Sequence, residues 1–244
     1  MSLMFSEAST DNYREFLEHF LESGYRLLSF AEARVTPAGP FAVLRHDIDF
    51  DCELALQIAL VEKELSLRST YFFLISSESY NVASARNREY INEIRDLGHE
   101  ISVHFDPVVY DDFIEGFECE RQFFERLFHV EIEIVSIHRP TPFFLEYNEL
   151  ICGIEHTYQR KYVEGMKYFA DSTGVWRYGH PANSTEFAER KNLHILTHPI
   201  WWTVSDEDSN NVEKIKNHYL RRIEQVKKHY AENCKPFREV YDTV

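Results

Sequence analysis

The sequence is short of paired cysteine, of basic charge and of long apolar runs, and each shortage bears on a class of protein. Its four cysteines, Cys52, Cys119, Cys152 and Cys234, are scattered with no Cys-x-x-Cys pair. That spacing speaks against a structural zinc knuckle or a disulfide framework, and reduced thiols fit a cytosolic protein. Acidic residues number 41 against 26 basic ones, a net charge of -15. A nucleic-acid or anionic-membrane partner needs the opposite sign, so neither is expected. No apolar run approaches the length of a membrane helix and no secretory signal opens the chain, so a cytoplasmic location without membrane insertion is expected. Internal repeats, low-complexity tracts and linkers are also lacking. With 244 residues, 44% of them hydrophobic, the chain suits one α/β domain spanning 1–244.

What is present is organised around Arg45-His46-Asp47-Ile48-Asp49-Phe50. The stretch closes the apolar run Phe41-Ala42-Val43-Leu44 and precedes a helical pattern. Residues at i and i+2 of extended chain point to the same side, so Asp47 and Asp49 face one way. Close carboxylates repel unless a cation or proton lies between them, which makes a metal site the first hypothesis.

Before this stretch, Thr10 or Asp11 can cap a helix over about 10–24, and Val35 to Pro40 reads as a turn. After it, Asp51 to Leu65 is helical, Ser69 to Ile75 is a strand, and Ser76 to Ser84 is a polar loop. A helix ending at Gly98 leads into the strand Glu100 to Phe105, which carries His104. Phe113, Phe117, Phe124 and Phe128 mark a further helix, and the run Glu131 to Ile137 ends in His138-Arg139-Pro140. Residues 143–166 lack a clean period. Lys167 to Asp171 and Leu193 to His198 are short strands, and an amphipathic helix over about 211–231 packs on the rest through Val212, Ile215, Tyr219, Ile223, Val226 and Tyr230. Strand and helix alternate, with a polar or titratable residue at most strand ends. In a parallel (β/α) barrel those ends converge on one face.

Asp47, Asp49 and Asp51 do not make a calcium loop, because its Gly and Glu positions hold Cys52 and Ile58. A transition-metal site with an open position fits better, with Asp49, His104 and His138 as ligands. Asp47 is then left as general base, and His198 as general acid held by Asp171. Arg139 is expected to fix Asp47 and lower its pKa. Competing readings stay open: Asp47 and Asp49 as helix caps, Asp171 as a turn residue before Gly174, His138 as a structural or outer-sphere histidine. Among the aromatics, which are 15% of the chain and mostly serve core packing, Trp176, Trp201 and Tyr80 are the candidates for substrate contact.

Five motifs taken in order resemble those of the polysaccharide-deacetylase (NodB-homology) family, carbohydrate esterase family four. They are His46-Asp47-Ile48-Asp49, Gly98-His99-Glu100 through His104, His138-Arg139-Pro140, Asp171 through Trp176, and Leu196-Thr197-His198. The resemblance implies a distorted (β/α) barrel of NodB type and removal of an acetyl or other acyl group from an amino sugar. The lack of a secretory signal, not the resemblance, leads to the expectation of a soluble or lipid-linked precursor of a surface polysaccharide as substrate. The resemblance also implies a divalent metal, zinc first, with cobalt, manganese, nickel or iron as substitutes. The chain departs from the family in three places. Ile48 separates the two aspartates, as in a divergent His-Asp-x-Asp branch; Val108 stands where the second metal histidine belongs; and Pro142, which has no N–H, stands near the oxyanion donor. Val108 and Pro142 motivate an alternative, a carbohydrate-binding pseudoenzyme. Another alternative is an amidase acting on a linear or cyclic amide outside sugar chemistry.

Overall fold

The computed structural model describes residues 10–35, 39–203 and 210–241, with the backbone alone at Thr10 and Asp11. The capping side chains expected at Thr10 and Asp11, and the middle of the turn expected at Val35 to Pro40, lie outside the described residues.

Strand β2 (Phe41–Ile48) is the axis of the sheet, and every one of its eight residues is buried. It follows helix α1 (Thr10–Glu22), strand β1 (Arg26–Leu28) and a short helix α2 (Phe30–Arg34). Then come α3 (Cys52–Glu64), β3 (Thr70–Phe73), α4 (Ala85–Asp96), β4 (Glu100–Phe105), α5 (Phe113–Phe128) and β5 (Ile134–Ile137). The remaining helices and strands are α6 (Pro142–Glu146), β6 (Glu155–His156), α7 (Arg160–Val163), β7 (Lys167–Ala170), α8 (Thr185–Ala188), β8 (Leu193–Thr197), α9 (Ile200–Thr203), α10 (Asn211–Asn233) and α11 (Lys235–Arg238). All ladders are parallel, in the order β6-β5-β4-β3-β2-β8-β7, with β1 pairing the start of β2.

The sheet curls into an open barrel. In a flat sheet β2 and β5 would lie three strand spacings, about 14 Å, apart. The Ser136 hydroxyl on β5 instead donates to Asp47 on β2 at 3.1 Å. Alternation along β2 therefore has two destinations. Arg45 and Asp47 point into the barrel, where the Arg45 guanidinium lies 5.2 Å from the Tyr158 ring centre and 5.9 Å from that of Phe72. His46 points outward to α3. No ladder joins β6 to β7 among the described residues, and the barrel is open there.

The outward face of β2 rests on a buried polar knot. Glu62 of α3, fully buried, accepts hydrogen bonds from Tyr13 (2.6 Å), Ser69 (2.5 Å) and Tyr71 (2.7 Å) and faces His46 Nε2 at 2.8 Å. A buried carboxylate is tolerable only when so paired. Burial would raise its pKa, but the charge and hydrogen bond of His46, the charge of nearby His99 and the hydrogen bond from Ser69 hold it low.

Helix α1 buries Tyr13, Phe16, Leu17 and Phe20 against the barrel, as its periodicity predicts. Helix α10 departs from expectation. It meets the barrel through its first two turns, by Ile215 against Leu54 and Ile200, Lys214 on the Trp201 carbonyl, and His218 on Asp51 at 3.1 Å, while near its other end Ala231 is buried and its carbonyl accepts from Arg238. Val212, Tyr219, Ile223, Val226 and Tyr230 are exposed. Within residues 143–166, which showed no period, lie two single-turn helices and the two-residue strand β6.

Candidate active site

The carboxyl ends of β2, β4, β5, β7 and β8 meet at one rim, and each contributes a titratable side chain. Asp47 ends β2 on its interior face. The guanidinium that grips it is not that of Arg139, as the sequence suggested, but that of Arg45 on the same strand. Arg45 Nε and Nη2 donate to the two carboxylate oxygens at 2.9 and 2.7 Å, and both residues are buried. Burial would raise the pKa of Asp47, but the charges of Arg45 and His104 outweigh it and hold the group far below the usual carboxylate range. Ser136 is the common partner. It takes a bond from Arg45 Nη2 at 2.6 Å, touches both oxygens of Asp47, and lies 2.8 Å from His104 Nδ1.

That last contact leaves His104 Nε2 facing Asp49 and His138. His104 Nε2 lies 3.0 Å from His138 Nδ1 and 3.3 Å from Asp49 Oδ1, and His138 Nδ1 lies 3.6 Å from the same oxygen. Ligands about 2.0–2.1 Å from a tetrahedral zinc stand about 3.3 Å from one another, so this triangle has the spacing of three such donors. Asp49 Oδ1 is buried and accepts no hydrogen bond, an orphan that a cation would satisfy. Two imidazoles and a carboxylate are a donor set that zinc accepts. Asp106 stands behind His138, with Oδ2 3.8 Å from Nε2. Val108 is exposed and outside the triangle; His138, from the next strand, occupies the third corner.

His198, just past β8, faces this triangle from the other side, with Nε2 3.8 Å from Asp49 Oδ2. Asp171, just past β7, receives the backbone N–H of His198 at 3.0 Å and lies 2.6 Å from its Nδ1, while Trp202 Nε1 donates to the second oxygen at 2.7 Å. Burial would push the His198 imidazole down, but the hydrogen bond and charge of Asp171, then the charges of Asp49 and Asp47, raise it to about 9. In the metal-free protein it is therefore a cation at neutral pH, with Nε2 toward the cleft.

The cleft, about 310 Å³, is lined by Asp47, Asp49, His104, His138, His198 and Trp201, among others. Arg139 lies on its rim, exposed and with a left-handed φ of 46°. Two of the three substrate-contact candidates are elsewhere. Trp176 stacks on Phe16 of α1 with centroids 5.7 Å apart, and Tyr80 is buried, its hydroxyl tied to the Ile48 carbonyl and the Leu74 N–H. Trp201 alone of the three reaches the cleft. Arg45, Ser136 and Trp202 carry contacts that the sequence reading did not assign to them. For Arg45 a signal existed: it stands at i-2 to Asp47 and so shares its face.

No family model and no curated protein matches the chain. Solved structures resemble it at low identity. A chitin deacetylase from the fungal pathogen Colletotrichum lindemuthianum is 14% identical over 80% of this chain and 87% of that one, with a TM-score of 0.42. A family 4 carbohydrate esterase from Bacillus anthracis is 15% identical over 87% and 86%, with a TM-score of 0.44. A CE4 family pseudoenzyme from Bacillus anthracis, BA3943, is 14% identical over 76% of this chain and 63% of that one, with a TM-score of 0.41. Identities this low assign no activity, so the chemistry has to come from the residues themselves.

Proposed function

We propose that the chain is a metal-dependent hydrolase that removes an acyl group, acetyl in the simplest case, from the nitrogen of an amino sugar. The observation that carries this reading is the triangle of Asp49, His104 and His138 flanked by an ionised carboxylate on one side and a cationic imidazole on the other. A divalent ion such as zinc, held by those three side chains, would supply Lewis acidity toward the acyl oxygen and the attacking water. Asp47 takes a proton from the water as it adds to the amide carbon. Arg45 and Ser136 hold that carboxylate ionised and in place, at some cost in basicity. His198 gives its Nε2 proton to the departing nitrogen as the C–N bond breaks, and Asp171 stabilises the imidazolium beforehand. The products are a carboxylic acid and a free amine. Trp201 offers an aromatic face for a sugar ring at the same rim.

The pseudoenzyme alternative draws on Val108 and Pro142: His138 at the third corner of the triangle answers the first, while Pro142, which opens α6, still has no N–H to offer an oxyanion. Zinc-reconstituted protein should release acid from at least one of a panel of N-acylated amino sugars, lose that activity on chelation and regain it on zinc addition. Stoichiometric zinc with no acid released from any sugar would overturn the reading in favour of a binding protein. Release from linear or cyclic amides alone would change the substrate class.

A further inference from the structure

The cleft does not end at the donor triangle. A second cavity, about 610 Å³, adjoins it, and Arg139, Pro140, Tyr158 and Ser172 line both. It lies where the sheet is open between β6 and β7: Tyr158 follows β6, and Lys167, Tyr168 and Ala170 belong to β7. Among the described residues its charged lining is Arg139, Lys167 and Arg177, with no Asp or Glu. In a chain with 41 acidic and 26 basic residues, a described lining whose charged members are all cations runs against composition.

The pairing of these cations is as informative as their number. Lys167 faces Glu186 at 3.2 Å and is partly neutralised. Arg139 and Arg177 are exposed and have no carboxylate partner among the described residues. Arg139 also holds its left-handed φ directly before Pro140, where sterics favour extended backbone. Such conformations persist mainly where the surrounding structure enforces them, often at ligand sites. Two free guanidiniums offer planar forks of donors, the geometry that recognises phosphate and carboxylate oxygens. A phosphate monoester carries about two negative charges and three acceptor oxygens, a closer match to three cations than one carboxylate is.

We propose that this second cavity binds a phosphoryl group carried by the acylated sugar, so that the substrate is a sugar phosphate or a phosphate-linked sugar conjugate rather than a neutral glycan. The assignment of the sugar rests on the deacylase reading above; the phosphoryl site itself has its own readout. Calorimetry on chelator-treated protein compares N-acetylglucosamine 1-phosphate with N-acetylglucosamine. The phosphate should bind about tenfold tighter or more, as expected for charge-assisted hydrogen bonds, and the margin should shrink with salt. Arg177→Gln, at an exposed and unpaired position, should lose most of that margin, and Arg139→Gln/Arg177→Gln all of it, with unchanged circular dichroism. A nucleoside diphosphate sugar that binds tighter still points to a nucleotide-linked source. Tighter binding of the sugar phosphate presented on a lipid vesicle points to a lipid-linked one. Equal binding of phosphorylated and neutral sugar, an unchanged margin in the double variant, or an equal margin for a uronate that lacks phosphate would each overturn the proposal. Acid release from the neutral sugar by zinc-loaded protein is read separately, so the deacylase reading and the phosphoryl site can fail independently.

Discussion

Replacing Arg45 by methionine should destabilise the metal-free protein by about 3–5 kcal/mol at neutral pH, the usual consequence of stripping one partner from a buried ion pair. Both conditions for that magnitude hold: Arg45 and Asp47 side chains are 0% and 3% exposed, and they meet through two hydrogen bonds. In a chain this long the loss corresponds to a fall of about 6–20 °C in Tm. The pH dependence is the sharper part. Burial is the largest influence on Asp47 and raises its pKa; Arg45 is the largest opposing one. In the wild type the depressed group contributes stability present above the unfolded pKa near ~4, and loses it as pH falls. Without Arg45 the folded pKa rises above the unfolded value, so ionising Asp47 now disfavours the fold. The deficit relative to wild type should therefore be large at pH 7.5 and much smaller at pH 4.5. Urea denaturation of chelator-treated protein at the two pH values measures it. Arg45→Met/Asp47→Leu, which removes both charges, should recover most of the loss. A deficit under about 1 kcal/mol, or one equal at both pH values, would refute the view that Arg45 holds a buried ionised Asp47.

Three further outcomes follow from the same contacts. Asp171→Asn should drop the His198 imidazole from about 9 to below its ordinary value near ~6.5, because burial then acts against one fewer negative partner; NMR titration of the metal-free protein reads this directly. The wild-type raised pKa contributes stability that is full below ~6.5 and lost as pH rises through about 9, and Asp171→Asn should lack that slope. Ser136→Ala should weaken zinc affinity about 10–100-fold, since Ser136 is the partner that leaves His104 Nε2 free for metal; a zinc competition assay with a chromogenic chelator checks it. Glu62→Leu should cost at least 3 kcal/mol, because Tyr13, Ser69, Tyr71 and His46 are left buried without their acceptor; thermal unfolding measures the loss, and an unaffected Tm would contradict the description of that knot.

Much of the site was legible because parallel strands place their carboxyl ends on one rim. Once β2, β4, β5, β7 and β8 were read from their apolar runs, Asp47, Asp49, His104, His138, Asp171 and His198 had to converge wherever the sheet curled. The curl itself, and the identity of the group holding Asp47, were not legible in the same way. Arg139 stands at a strand end as a nearby positive charge, while the period-two alternation that pairs Asp47 with Asp49 applies equally to Arg45. A fully buried arginine on a central strand is rare, so alternation alone gives little reason to expect one at Arg45. Trp176 and Tyr80 lie outside the cleft lining for a different reason. Their ring and hydroxyl chemistry serves packing and β2 anchoring as well as it serves sugar binding, and sequence spacing does not separate the two uses. The exposed stripe of α10 shows the same limit: an amphipathic period marks an apolar face but not what covers it.

The central claim is the division of labour between the two aspartates at the end of β2, and metal content with acid release in Asp49→Ala and Asp47→Asn tests it most directly. Wild type and Asp47→Asn should each retain one equivalent of zinc after reconstitution, Asp49→Ala should retain almost none, and acid release should be lost in both variants. Zinc bound at full stoichiometry by Asp49→Ala, or turnover undiminished in Asp47→Asn, would contradict it.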